Sequence, residues 1–431
     1  MKLAWIRVAA LAMVAAAAAA QDADFEAKEG KEEKQRKKFK FVFKQHPSFR
    51  FGNWLRLDFR ARLQGDWTFI DPETKKFPQL FAWQRERIAV EGILFKKLEF
   101  EVGYEFVPTA DFHWKDVYAN YIWKKSMQFQ GGRFRIPFSL EHNTGPTNLD
   151  FVDRSRIAAR LANGRDTGGM VHGTVKKRLI RYWGGVFAHD GDVAADASNF
   201  RTGEVTVAGR LNGRPLELFS KAPSAMKEIT IGGSATFCNV PEGLYSLRGK
   251  TADSDTFFTN YFVNGRRQRT GAEFLWRPGP FSVKSEYIAV REERKKQGLR
   301  GEDLPDLIGR GWYGSIGWMV TGQHVTEVEK LSRRHYIPLK QGIGAVEIVT
   351  RFEQLRFGSD TSIGRPSRSI RAANITPNSD RIWTFGVNWF VTHYAKLQAN
   401  FMHDHIEDVF RAPVSGVQNY WFYKFRLQLV L

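Results

Sequence analysis

Between Ile136 and Gly168 the chain carries Arg154, Arg156, Arg160 and Arg165 close to Asp150, Asp153 and Asp166, and Arg133 and Arg135 flank the start of the segment. A guanidinium stays charged at physiological pH and presents a planar fork that grips phosphate or carboxylate through two parallel hydrogen bonds. Arginines gathered on one long connection are therefore chemistry for holding or passing an anion. The bland alternative is that they pair with the neighbouring aspartates and pin the segment down, since ion-pair networks are common in such places.

Residues for covalent chemistry are poorly represented. His403 and His405 share a parity around Asp404 but are expected to be surface histidines in a last external loop and not a metal pair. His189-Asp-Gly-Asp192 with Asp196 offers calcium-type oxygens without EF-hand spacing. Gly-x-Ser-x-Gly, the phosphate-binding loop and His-Glu-x-x-His are all missing. The single cysteine, Cys238, excludes intrachain disulfides and multi-cysteine zinc sites. The expectation is a protein that is not an enzyme and needs no cofactor.

The elements that would carry these arginines follow from composition and period. The 431 residues include 65 Lys and Arg against 46 Asp and Glu, a net charge of +19, and 14% are aromatic. A mean hydropathy of −0.40 rules out a bundle of membrane helices, each of which needs about 20 apolar residues. The aromatic content rules out a disordered chain. Lys2 and Arg7 precede 13 apolar residues, Val8 to Ala20, with Ala18 and Ala20 fit for cleavage before Gln21; residues 1–20 read as a signal peptide. Residues 21–44 read as a charged periplasmic segment of mixed sign, and residues 45–431 as the folded body.

That body alternates with a period of two. Phe49, Phe51, Leu55, Leu57, Phe59, Ala61, Leu63, Trp67 and Phe69 oppose Arg50, Arg56, Asp58, Arg60, Arg62, Gln64 and Asp66, which makes two strands or one long tilted one. The pattern returns at Leu98–Phe106, Val117–Trp123, Ile229–Phe237, Phe281–Tyr287, Trp383–Trp389 and Ala395–Phe401. Trp421, Tyr423, Phe425, Leu427, Leu429 and Leu431 then alternate with Lys424, Arg426 and Gln428 to the last residue. A secreted sandwich, carbohydrate-binding or glycan-degrading, has no reason to end so. A barrel in lipid must close there, because an open edge leaves backbone groups unpaired. The fold expected is all-β: a transmembrane antiparallel β-barrel of about 16 strands, with 136–168 as an inward constriction loop.

Two units of the charge lie in the signal peptide and two in residues 22–44, so the body itself carries +15. On the polar parity lie Arg56, Arg60, Arg62, Lys284, Lys396, Lys424 and Arg426. In a sandwich they would be an ordinary solvated face, whereas in a lumen such residues set anion preference. Basic proteins often bind nucleic acid, but an exported chain seldom meets it. The partners expected are small anions, phosphate among them, and outer-membrane lipid.

Gln130-Gly-Gly-Arg-Phe-Arg-Ile-Pro-Phe-Ser-Leu-Glu141, Leu149-Asp-Phe-Val-Asp-Arg-Ser155 and Gly271-Ala-Glu-Phe274 resemble stretches of the phosphate-selective porin O and P family. So do Gly279-Pro-Phe-Ser-Val-Lys-Ser-Glu-Tyr287, Trp318-Met-Val-Thr-Gly322 and Phe385-Gly-Val-Asn-Trp-Phe390. The resemblance covers most of the body and is weakest between Asn199 and Asn264. It implies a 16-stranded barrel in the bacterial outer membrane, commonly a homotrimer, with an inward loop and a basic lumen passing anions. Leu431 departs from the phenylalanine that usually ends such barrels. Within that resemblance a general or sugar-permeable channel is the alternative reading. The barrel predicts gel migration that shifts on heating after detergent extraction; a chain soluble without detergent would contradict it.

Overall fold

The computed structural model describes residues 39–43, 46–70, 80–108, 112–176, 179–195, 204–324, 343–359 and 375–431. The expected signal peptide and most of the 21–44 segment lie outside these residues.

The chain opens with a hairpin, β1 (Lys40–Phe43) and β2 (Pro47–Phe51). The barrel begins with β3 (Leu55–Ile70), β4 (Phe81–Leu94), β5 (Leu98–Glu105), β6 (Trp114–Lys124) and β7 (Met127–Arg135). It continues through β8 (Arg165–Val175), β9 (Ile180–Phe187), β10 (Thr206–Gly213) and β11 (Thr230–Gly243). A small pair, β12 (Gly249–Lys250) and β13 (Thr256–Phe258), interrupts the series. The barrel resumes with β14 (Val263–Trp276), β15 (Phe281–Arg294), β16 (Leu304–Met319), β17 (Ala345–Ser359), β18 (Asn378–Phe390), β19 (Ala395–Ile406) and β20 (Asn419–Val430). Every barrel strand pairs antiparallel with its neighbours, and β20 closes on β3 from Phe422 opposite Ile70 to Val430 opposite Arg62. Leu431 N–H donates to Ala61 O at 2.9 Å, and Ala61 N–H returns the bond at 3.1 Å. Sixteen strands so closed leave no edge to face lipid.

The long alternating run at 49–69 is two strands, broken where Gly52 takes a positive φ of 52°. β2 pairs with the lower part of β3, which the shorter β20 does not reach. No helix among the described residues is long and apolar enough to cross a membrane, and the strands sort their residues by face. Their outer faces carry the apolar parity: Trp312, Trp383, Phe385, Trp421, Tyr423 and Phe425 are exposed there, while Glu286, Thr384, Asn400 and Arg426 point inward and are buried. Connections at the end holding both strand termini are mostly short, as at 95–97, 125–126 and 391–394, with 214–229 and 320–344 longer. Those at the other end are mostly long, which marks it as extracellular.

Two of the long connections fold inward. Residues 136–164 cross the lumen to the far wall: Val152 N–H donates to Asn400 Oδ1 at 2.7 Å, Leu140 N–H to Glu286 Oε1 at 2.8 Å, and Arg269 Nε to Leu161 O at 2.7 Å. Residues 244–262 lie above them, with Ala252 N–H donating to Asp404 and Asn378 to Phe257 O. Ile157, Leu161, Phe257 and Phe258 of these loops pack on Ile288, Leu307, Leu355 and Phe357 of the wall. The interior is therefore not polar throughout, as the alternation implied. Where the loops cover it, the inner face supplies them with a hydrophobic seat.

Gly311 shows how closely the short helix Arg156–Arg160 is seated. A Cβ at this inward position of β16 would lie 2.3 Å from Gln354 O of the adjacent strand and 2.5 Å from Ile157 Cγ2. Gly311→Leu is expected to unseat the helix at a cost of about 1–3 kcal/mol. It should lower the temperature of the heat-induced gel shift and add current noise; two unchanged readings would show that the helix does not bear on Gly311.

Candidate functional site

The inward loop leaves a cavity of about 1080 Å³ between its exposed face and the wall. Among the described residues, Arg60, Arg62, Arg87, Arg135, Arg165, Arg210, Arg277 and Lys396 line it, against Glu91, Glu101, Asp116, Asp150 and Glu347. Eight bases facing five acids give the space an excess positive charge.

Its densest part is built around the helical turn Leu140–Asn143. Ser139 Oγ accepts from His142 N–H at 3.1 Å, and the carboxylate of Glu286 receives the first two free amides, from Leu140 at 2.8 Å and Glu141 at 3.2 Å. At the other end the exposed carbonyls attract cations. Arg135 Nη1 donates to Asn143 O and Thr144 O at 3.0 Å each. Arg154 Nη2 reaches the same Thr144 O at 2.7 Å, and its Nε donates to Glu141 O at 3.2 Å. Two guanidinium groups thus converge on one oxygen.

A second pair meets beside them. Arg165 binds Asp116 with both prongs, at 3.0 and 2.8 Å, and Arg87 approaches the same carboxylate at 3.7 Å while holding Glu105 at 3.2 Å. Arg62 stands directly opposite Arg87 across β3 and β4, and no ion pair or hydrogen bond engages its side chain among the described residues. Arg85 donates to Gln64 and has no carboxylate partner among the described residues. Arg62, Arg85, Arg135 and Arg154 each lie in the field of at least two other arginines. Burial lowers the loop residue Arg154 to about 10, Glu141 opposing and Arg165 adding to the effect, which leaves it charged at neutral pH. Burial, then Arg154, Arg135 and Arg165, push His142 far below its ordinary value, so the imidazole stays neutral.

The other expected bases have different surroundings. Lys284 pairs with Asp150, Lys424 with Asp153 at 2.7 Å, and Lys396 donates to Leu149 O at 2.8 Å. Arg426 binds Asp66 with two bonds, at 2.6 and 2.7 Å, and Val152 O at 2.6 Å. Arg156 donates to Thr251 O and Arg160 to Ser254, both on the second inward loop. Arg133 lies on the opposite parity from the lumen, held by Trp114 O and Asp192 beneath the ring of Phe112. Arg56 pairs with Asp58 near the short-turn end, away from the cavity lining. The structure therefore brings Arg60, Arg62, Arg135, Arg165 and Lys396 to the cavity, with Arg154 beside it, and sets the other seven elsewhere.

Alternation along the sequence does not single out Arg85, Arg87, Arg210 and Arg277. Around Arg85 and Arg87 a bulge opposite Gln64 and Gly65 breaks the pattern. Arg210 lies in a glycine-containing strand, where it binds Glu273 at 3.0 Å. His403 and His405 also differ from expectation. They sit on the outer face of β19, not in a loop, and His403 lies 4.0 Å from the ring of Trp421. In the acidic 190–196 loop, Asp190 clamps Arg267 and Arg269 and Asp192 holds Arg133, while Asp196 lies outside the described residues. Burial opposes ionisation of Asp190, but Arg269 and Arg267 outweigh it and hold its pKa at about 2. These carboxylates are occupied by arginine.

A family profile described as phosphate-selective porin O and P matches residues 57–430. The chain belongs to that family. Porin O of Pseudomonas aeruginosa is 25% identical over 135 residues, which are 31% of this porin-family chain and 28% of that relative, so the match spans little more than a quarter of the relative. Among solved structures, the trimer form of OmpT, an outer-membrane protein of Vibrio cholerae, has a TM-score of 0.54 at 8% identity, covering 88% of this chain and all of that one. An anion-selective porin from Comamonas acidovorans gives 0.52 at 8% identity with the same coverage. Likeness at this identity establishes a shared barrel fold, and membership of the family places the chain in the bacterial outer membrane.

Lys424 and Arg426 tie the inward loop to the last strand of this porin. Lys424→Gln with Arg426→Gln leaves Asp66 buried without its cation, a loss of about 3–5 kcal/mol for a broken buried pair, and leaves Asp153 only Arg156 at 3.9 Å. Single-channel conductance should rise and become noisy as the loop loosens; wild-type conductance would show that other contacts suffice.

Proposed function

We propose that the chain forms a water-filled channel through which small anions, phosphate among them, diffuse passively across the outer membrane. The observation that carries this reading is the group Arg62, Arg85, Arg87, Arg135, Arg154 and Arg165, gathered where the inward loop narrows the lumen and outnumbering the two carboxylates, Asp116 and Glu105, that any of them binds there. Low-dielectric walls focus such a field and raise the local concentration of anions. Nε of Arg62 and Nε of Arg135 have no acceptor, and Arg62 and Arg277 have no ion-pair partner among the described residues. The guanidinium groups of Arg62 and Arg277, which line the cavity, can take phosphate oxygens in place of water. Several weak positions pass an ion along where one strong site would trap it. The reading involves no cofactor and no covalent step. It agrees with the anion selectivity ascribed to the Comamonas acidovorans porin, a barrel of the same fold.

The proposal includes export by the 1–20 segment, a periplasmic place for 21–44, and assembly as a homotrimer. Strands β5, β9 and β10 have eight residues each. At about 3.4 Å per residue and a tilt of about 45°, each rises roughly 19 Å, less than the ~25 Å apolar band it faces. Neighbouring copies would shield that low wall and its exposed Val102, Val186, Val207 and Leu211 from lipid. The trimer form of OmpT is a precedent with this fold.

Reversal potentials in planar bilayers under a KCl gradient should show anion preference, and cation preference would refute the charge argument. Phosphate should block the chloride current. Arg62→Gln should weaken that block by roughly tenfold, the ~1.4 kcal/mol of one charge-assisted hydrogen bond. A current blocked by neutral sugars and indifferent to phosphate would favour a general channel.

A further inference from the structure

The outer surface carries a second group of arginines that the channel does not use. Arg310 of β16 and Arg356 of β17 are directly opposite one another. Arg356 faces Ser379 of β18, which places Arg381, two residues on, as its diagonal neighbour on the same face. All three side chains are exposed on the parity of Trp312 and Trp383, the parity that faces away from the lumen. No ion pair or hydrogen bond engages any of the three among the described residues.

Neighbouring positions show that this lack of partners is local. On the next strand Arg291 is bound by Asp306 at 2.5 Å, and Glu293 holds Lys295 at 2.7 Å. Glu407, the acid nearest Arg356 in register among the described residues, accepts from Ser379. Like charges directly opposite in a sheet are destabilising unless something outside the chain neutralises them.

Their height on the barrel identifies what that is. Immediately toward the membrane from the three arginines runs a belt of ring contacts, Trp312 to Phe352 at 5.4 Å, Phe352 to Trp383 at 4.8 Å and Trp383 to Phe385 at 6.0 Å. Such belts sit at the level of the headgroups. The arginines lie on its extracellular side, near the ends of β16, β17 and β18 that join the long connections. Aromatic rings below and unpartnered guanidinium forks above make a surface continuous with the lipid-facing wall and opposite in charge to an anionic headgroup.

We infer that Arg310, Arg356 and Arg381 form a binding site for the phosphate groups of an outer-leaflet glycolipid, whose acyl chains lie along Trp312, Phe352 and Trp383. The site is independent of the channel's ion preference, so either reading can fail without the other.

Native mass spectrometry of the full detergent-purified protein tests it, with a diphosphorylated glucosamine-disaccharide glycolipid (lipid A) and its dephosphorylated form as probes. The phosphorylated lipid should bind about tenfold more tightly. R310Q/R356Q/R381Q should lose that difference, while Arg214→Gln at the opposite end keeps it. Equal binding of the two lipids to the wild-type protein would overturn the inference, as would a triple variant that still discriminates. Full displacement by millimolar inorganic phosphate would also overturn it by showing a site for the free ion. If the triple variant does not give the heat-induced gel shift of a folded barrel, the wild-type comparison decides alone.

Discussion

The clasp between the inward segment and the opposite wall is the interaction from which the rest of the interior follows. Charges taken out of water must find partners, and a buried pair broken on one side is costly. Here Asp150 meets Lys284, Asp153 meets Lys424, and the carbonyl oxygens of Leu149 and Val152 meet Lys396 and Arg426. Burial works against ionisation of Asp150 and Asp153, yet the lysines hold both below the usual carboxylate range. Pinned in this way, the segment divides the basic lining into two populations. On its covered side, cations are spent on structure. On its open side Arg62, Arg135 and Arg165 remain beside the water path.

The division explains why net charge is a poor guide to which bases face the solute. The body carries many inward cations, but the field in the cavity depends on those that the loop leaves uncompensated. The same helical turn that receives Glu286 at its amide end offers its carbonyls to Arg135 and Arg154 at the other. Those two arginines are positioned by backbone carbonyls and not by a paired carboxylate.

Much of the fold was legible from alternation alone, because a strand between lipid and water must separate apolar from polar residues at every second position. The last strand, with Trp421 to Leu431 facing out and Lys424 and Arg426 facing in, carried that information most clearly. The site was only partly legible. Parity says that Lys424 and Arg62 both point inward, but not that one lies under the loop and the other in the open. That distinction comes from pairings such as Lys424 with Asp153, 271 residues apart in sequence. The bulge near Gln64 hid Arg85 and Arg87, and alternation alone does not show that Ile288 and Leu355 face inward to seat the loops.

The bonds between Ala61 and Leu431 impose an order in time. Above the stretch that β2 covers, the first barrel strand has no second neighbour until β20 arrives, so the seam cannot form before that strand is made. Contacts that span nearly the whole chain are slow to form and leave an open edge exposed meanwhile. The inward loop meets the same delay, since Arg426 and Asn400 also come from the last strands. Closure of the wall and furnishing of its interior are thus late, coupled events, and a chain halted before its final strand would have neither a sealed seam nor a seated loop.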